Sequence, residues 1–244
     1  MIDAGLPVRA FFTTRDGGTS APPYDSLNLA THVGDDPACV ARNRSIVAEH
    51  ADAPVTFLTA EHGIAVAQVS APREDPGPAD VLVTRVPGLA IAAIAADCVP
   101  VLMHDELTGA VAAVHAGREG LYLGAIDAAV AALLDLGPAR REPGTLRAAI
   151  GPAICGRCYE VPGEMQARVA GRHPTARAMT RTGTPSLDLP RAIETRLGEL
   201  GFREVIRRPE CTREEPGLFS HRRDGVTGRI AGVIVCAGPG VSLR

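Results

Sequence analysis

The sequence predicts an α/β chain of the α+β kind, with strands and helices interleaved along one domain spanning residues 1–244. Three observations predict it. Short apolar runs rich in Ala, Val and Ile recur between turn residues, as buried strands do. Between them lie stretches with helical spacing and recognisable caps. A chain of 244 residues that is 45% hydrophobic and 22% charged has ample material for a core and is far from disorder.

Composition narrows the function. The net charge of −3 suggests no broad basic surface for nucleic acid. All 25 basic residues are Arg, so no lysine serves as a Schiff base or phosphate ligand. An anion site must then use Arg, backbone N–H groups or a metal. The first ten residues lack a cationic start followed by an apolar core, so no secretory signal is expected. No apolar run approaches the roughly 20 residues that span a bilayer. Cysteines 39, 98, 155, 158, 211 and 236 are sparse and irregular for a disulfide scaffold. Reduced thiols and a cytoplasmic location are expected.

Residues 8–14 read as a strand running into Arg15-Asp16-Gly17-Gly18-Thr19-Ser20. A cation at a strand end beside a glycine turn can meet an anionic ligand, so Arg15 is either a substrate contact or a solvated turn residue. Residues 24–36 read as an ordered loop, with Asn28 and His32 set among Leu27, Leu29 and Val33. Residues 37–51 read as a helix, with Asp36 as N-cap, Pro37 in the first turn, and Val40, Ile46 and Val47 inward. Phe57-Leu58 leads to Glu61-His62-Gly63 and a strand over 64–69, so a turn presents the His62 imidazole. Residues 71–78, with three prolines and one glycine, read as an exposed loop before a strand over 79–84.

Residues 89–117 read as a buried strand, a bend at Pro100, a polar turn and a returning strand. Pairing the two runs with Glu106 and Leu107 at the tip sets Cys98 opposite His115, with Cβ atoms about 5 Å apart. A thiolate beside an imidazole suits a transition-metal site or a cysteine nucleophile with its base. The bland alternative is a buried Cys beside a satisfied core His. Asp97 adds a charge at the end of the apolar strand.

The pattern over 119–136 is helical, with Leu121, Ile126, Val130, Leu133 and Leu134 near one face and Gly137-Pro138 ending it. Gly117 then opens a helix whose N–H groups favour an anion. A strand covers 146–150. Cys155-Gly156-Arg157-Cys158 invites a zinc or redox reading, but no further ligands at comparable spacing are visible, so the pair reads as two incidental thiols. A short helix over 164–171 is followed by a polar loop. Asp188 caps a helix with Pro190 in its first turn, Leu189, Ile193, Leu197 and Leu200 inward, and Gly201 at its end. Strands over 202–207 and 230–236 flank a charged loop, 211–228, whose His221-Arg222-Arg223-Asp224 is either solvated or anion-binding.

In order, FFTTRDGGTS, SLNLATHVGDDP, Asn43-Arg44, ADVLVT, PGLAIAAIAADCVPVLM, GAVAAVHAGREGL, AAIGPAICGRCYEV and SHRRDGVTGR run nearly end to end. Together they resemble the YfiH family, once labelled polyphenol oxidase or laccase, associated with purine nucleoside phosphorylase activity and related to peptidoglycan editing factors. The resemblance implies a layered α/β sandwich with central mixed sheets flanked by helices. It implies one zinc per chain on His62, Cys98 and His115, a position copper can also take. The implied substrates are phosphate and adenosine, inosine, guanosine or methylthioadenosine, with adenosine deamination as a second activity. Arg15, Asn28, Asn43 and Gly117 are the substrate-binding candidates. Asp97 is the candidate proton carrier or ligand-orienting group. A monomer or small homo-oligomer is expected, without nucleic-acid or membrane partners. Two positions depart from the family pattern: Ala60-Glu61 stands where Gln-Val is frequent, and Arg118-Glu119 where Trp-Arg is frequent.

Three competing readings remain open at this stage. Cys98 with His115 could form a cysteine hydrolase. The chain could be a non-enzymatic partner in cell-wall editing. A copper polyphenol oxidase ranks lowest, because it needs many His ligands and the chain has seven His in all, without His-x-His pairs.

Overall fold

A computed structural model describes residues 1–72, 76–137 and 144–238. In chain order it contains β1 (Ile2–Asp3), β2 (Ala10–Phe12), α1 (Pro37–Ala51), β3 (Val55–Phe57), β4 (Val66–Gln68), β5 (Val81–Thr84), β6 (Ala90–Ala95) and β7 (Val99–Asp105). Then come β8 (Val111–Ala116), α2 (Arg118–Leu123), α3 (Ala125–Asp135), β9 (Leu146–Ile150), α4 (Gly163–Arg172), β10 (Arg177–Met179) and β11 (Pro185–Leu187). The chain closes with α5 (Leu189–Glu199), β12 (Glu204–Arg207), α6 (His221–Asp224) and β13 (Ile230–Val235).

Two mixed sheets form the centre. The first has the order β1-β2-β13-β6-β3 and the second β12-β9-β7-β8-β5-β4. Side chains alternate across a strand, and the second sheet uses both faces. Val99, Val101 and Met103 of β7, with Ala112 and Val114 of β8, pack on Ile126 and Leu133 of α3 and Ile193 and Leu197 of α5. Leu102, Val111 and Ala113 point the other way, into the core shared with Ile91 and Ile94 of the first sheet. Val47 and Ala51 of α1 join that same core. The result is a mixed α+β sandwich with two sheets at its centre and helices outside, as expected. Among the described residues, no helix is long and apolar enough to cross a membrane.

Local chemistry set several boundaries. The Asp36 side chain accepts from the Ala38 N–H and Pro37 opens α1, so the helix runs over the expected residues 37–51. Asp188 caps α5 by accepting from the Arg191 N–H.

Other expectations are corrected. Residues 89–105 are not one bent strand: β6 belongs to the first sheet and β7 to the second. The break falls at Ala96-Asp97-Cys98, where Asp97 takes φ +82°, rather than at Pro100. The hairpin register differs too, because His115 pairs with Pro100 and Cys98 lies outside the ladder. The helix expected over 119–136 divides at Gly124, whose φ of +105° ends α2 after six residues. The stretch read as a polar loop after α4 contains the β10–β11 hairpin. The expected loop over 71–78 falls partly, at 73–75, outside the described residues, as does Pro138.

Candidate functional site

The change of sheet after β6 builds the site. It places Asp97 and Cys98 on the link between β6 of the first sheet and β7 of the second. Antiparallel pairing of β7 with β8 brings the end of β8, with His115, to the same edge. β5 lies antiparallel to β8, with Val81 opposite Val114, so Asp80 arrives beside His115. The turn before β4 supplies His62, in a left-handed conformation with φ +63°.

These segments bring together the predicted His62, Cys98 and His115. Their donor atoms all lie within 4.8 Å of one another. The two imidazole rings meet edge to face, with centroids 4.8 Å apart. Gly117 lets them approach: a Cβ there would stand 3.0 Å from Cys98 Sγ and 3.1 Å from His62 Cδ2.

Asp80 is the residue that sequence reasoning missed. It is fully buried, and its Oδ1 lies 2.9 Å from His115 Nδ1. The same oxygen accepts the His62 N–H at 2.9 Å, while Oδ2 accepts the Gly63 N–H at 2.7 Å. With Nδ1 committed to Asp80, His115 turns Nε2 toward Cys98. The signal was present as a lone carboxylate at the head of the apolar strand Val81–Thr84.

Electrostatics favour a charged pair. Burial opposes ionisation of Cys98, but the charge and hydrogen bonds of His115 and His62 outweigh it and bring the thiol down to about 6. Burial likewise opposes protonation of His115, yet the Cys98 charge and the Asp80 hydrogen bond raise it to about 9. Burial pushes Asp80 upward, but its bonds to His115, Gly63 and His62 hold it below the usual carboxylate range. A thiolate and two imidazoles, one backed by a carboxylate, form a donor set suited to zinc.

A cavity of about 350 Å³ opens over these donors. Its walls include His32, Tyr159, His221, Arg222 and Arg229. Partial burial and the charges of Arg229 and Arg44 hold His32 below the ordinary imidazole value. Asp97 also lines the cavity, but its carboxylate is fully engaged. Oδ1 accepts from Thr212 Oγ1 at 2.6 Å and Ser220 Oγ at 2.7 Å, and Oδ2 accepts the Arg222 N–H at 2.7 Å.

Arg15, Asn28 and Asn43 stand back from the cavity walls. Arg15 holds Asp25 through a 3.0 Å ion pair and lies 5.0 Å over the Phe219 ring. Asn43 donates to Ser20 Oγ and to the carbonyls of Ser26 and Asn28, and accepts the Thr19 N–H. Asn28 accepts the Arg229 N–H at 3.0 Å and so fixes the strand entry that carries a cavity arginine. Glu119 pairs with Arg168 at 2.6 Å and with Arg118 at 3.2 Å.

The family model described as multi-copper polyphenol oxidoreductase laccase matches residues 9–237. A purine nucleoside phosphorylase of Streptomyces coelicolor is 48% identical over 228 residues, covering 91% of this chain and 93% of that protein. One from Mycobacterium tuberculosis is 45% identical over 236 residues, covering 95% and 93%. The purine nucleoside phosphorylase YfiH of Escherichia coli is 35% identical, covering 93% of each chain. Among solved structures, a Neisseria meningitidis protein superposes with a TM-score of 0.85 at 35% identity, covering 97% of this chain and 99% of its own. YlmD of Geobacillus stearothermophilus gives 0.83 at 29% identity, covering 96% and 93%.

Proposed function

The chain belongs to the multi-copper polyphenol oxidoreductase laccase family, and on that premise we propose that it is a purine nucleoside phosphorylase working at a zinc held by His62, Cys98 and His115. The observation that carries this reading is the convergence of those three donors on the floor of a cavity walled by Arg222 and Arg229. The cavity volume lies within the range of small-molecule sites. Relatives that match 91–95% of the chain bear the phosphorylase name.

Three protein ligands are the pattern of a catalytic zinc, which would supply a Lewis acid at the cavity floor. The protein groups do the rest. Arg222 and Arg229 hold phosphate against the ribose, and charge-assisted hydrogen bonds fix its attacking oxygen. The new bond forms between that oxygen and the anomeric carbon, and the glycosidic bond to the purine breaks. The leaving purine takes up a proton, with His32, Tyr159 and His221 as the cavity-lining groups able to donate one. Asp97 positions Cys98 and the Arg222 backbone. Gly117 admits the donors, Asn28, held by Asn43, braces the strand entry behind Arg229, and Arg15 stacks on Phe219 ahead of α6. Adenosine deamination at the same centre replaces the C6 amino group with the oxygen of water and releases ammonia. The free state of all six cysteines suits a reducing cytoplasm.

The Cys98 thiolate and His115 imidazolium also favour a second reading, a cysteine hydrolase that needs no metal. A laccase reaction is poorly supported. Among the described residues, only His62 and His115 of the histidines join a cluster of three or more metal donors.

The test combines zinc analysis with inosine turnover, with and without phosphate. About one catalytic zinc per chain, and hypoxanthine and ribose 1-phosphate formed only with phosphate, are expected. Both should be lost in Cys98→Ala. Metal-free protein with a freely alkylated Cys98 and no phosphate-dependent cleavage would overturn the phosphorylase in favour of the hydrolase.

A further inference from the structure

The Cys155–Cys158 pair, which reads in the sequence as two incidental thiols, does not stand alone in the fold. The fold brings Cys211 and Glu214 to it, and the four donor atoms all lie within 4.8 Å of one another. The two segments are built alike. The Cys155 carbonyl accepts the N–H groups of Cys158 at 2.9 Å and Tyr159 at 3.0 Å. The Cys211 carbonyl accepts those of Glu214 at 3.0 Å and Glu215 at 2.9 Å. Each turn therefore delivers its first and fourth side chains to one side.

The turns are also locked together. Ala153 and Cys211 form a parallel bridge, and the Thr212 N–H donates to the Ala153 carbonyl at 3.2 Å. The Cys155 N–H donates to Cys211 Sγ at 3.3 Å, and the Cys158 thiol donates to Glu214 Oε1 at 3.3 Å. These bonds tie the sulfurs and the Glu214 carboxylate into one cluster. All three thiols are free, so no disulfide accounts for the grouping. A tetrahedral zinc with bonds of about 2.3 Å to sulfur spaces its donors by about 3.8 Å, inside the observed span.

We propose that Cys155, Cys158, Cys211 and Glu214 form a second metal site, structural in kind and suited to zinc, that staples the segment after β9 to the segment before α6. Three thiolates and a carboxylate close the coordination sphere, which leaves no open position for substrate. Loading releases the thiol protons to water. Arg157, Arg181 and Arg213 border the cluster and offset its excess negative charge, with Arg181 2.5 Å from Glu214 Oε1.

The staple acts on the catalytic cavity through Asp97. Thr212, next to Cys211, donates to the Asp97 carboxylate. The Ile154 N–H, next to Cys155, donates to the Asp97 carbonyl at 3.0 Å. Both stapled segments thus hold the residue that precedes Cys98.

The test uses the full chain carrying Cys98→Ala, which removes the other site. About one zinc per chain is expected to survive dialysis, with Cys155, Cys158 and Cys211 protected from maleimide until a strong chelator is added. Cobalt substitution should give tetrahedral bands with thiolate charge transfer. Adding Cys158→Ser should reduce zinc to background and abolish those bands. If that variant does not fold, Glu214→Gln in the Cys98→Ala background should bind zinc at least about tenfold more weakly. Zinc-free Cys98→Ala protein with all three thiols rapidly alkylated would overturn the proposal. So would zinc affinity unchanged by Glu214→Gln and Cys158→Ser.

Discussion

Asp80 and His115 form a buried carboxylate–imidazole pair, 2.9 Å from Oδ1 to Nδ1, and the same carboxylate ties down the His62 and Gly63 N–H groups. One side chain thus orients two of the three donors. Asn has the shape of Asp but only one acceptor oxygen, so Asp80→Asn leaves a backbone N–H opposite an amide nitrogen. Zinc affinity is expected to fall about 10–100-fold. A chelator-competition titration measures it, and an unchanged dissociation constant would show that Asp80 does not orient the donors.

Gly117→Ala isolates crowding from backbone strain. Gly117 has φ −79° and ψ 176°, which any residue adopts. The added methyl would still meet Cys98 Sγ at 3.0 Å and His62 Cδ2 at 3.1 Å. The donors must spread, so zinc affinity should fall about tenfold or more while the thermal midpoint of metal-free protein stays put. A matching loss of stability in the metal-free protein would mean that the methyl disturbs packing rather than the donor triangle.

Chelator-treated protein should expose Cys98 as an unusually acidic thiol. Its depressed value of about 6 means that thiolate persists as pH falls from 8 toward 6 and is lost below that point. The alkylation rate at Cys98 should therefore be flat above neutrality and half-lost near pH 6, where an ordinary thiol titrates near about 8.5. Zinc should suppress the reaction throughout. An inflection above pH 8 in chelated protein would remove the charged pair from the account.

The N-terminus of helix α1 offers a control, because Asp36 is neither a metal donor nor a cavity wall. Asp36 accepts the Ala38 N–H at 2.8 Å, one of the donors that a helix N-terminus leaves without an internal partner. Asp36→Ala should lower unfolding free energy by about 1 kcal/mol and leave zinc content unchanged. Denaturant unfolding with parallel metal analysis checks both halves.

That helix was legible because Asp36 and Pro37 are local signals, decided within a few residues. Cys98 and His115 were legible as chemical types, but the geometry that joins them was not. A straight hairpin sets them opposite each other, whereas the chain turns at Asp97 and moves to another sheet, so that Cys98 reaches His115 from outside the ladder. No local pattern reports a change of sheet. Asp80 was hidden for a related reason, since its partners lie on the turn before β4 and at the end of β8. Cys155 and Cys211 stand 56 residues apart, so the spacing of the first pair alone could not reveal the second.

Replacing Arg229 tests phosphate binding apart from metal binding. Its side chain lines the cavity while Nη1 donates to the carbonyls of Thr227 at 2.9 Å and Gly228 at 3.0 Å, which aim the guanidinium. Burial lowers its pKa from the ordinary guanidinium value, but an arginine stays charged at neutral pH. Arg229→Met keeps the stem and removes the charge. A lost charged hydrogen bond of about 1.5–3 kcal/mol corresponds to about a 10–100-fold rise in the KM for phosphate. The KM for inosine should change far less, and zinc content should stay that of the wild type. The opposite pattern, with inosine affinity lost and phosphate affinity kept, would assign Arg229 to the base or ribose and leave Arg222 as the phosphate contact.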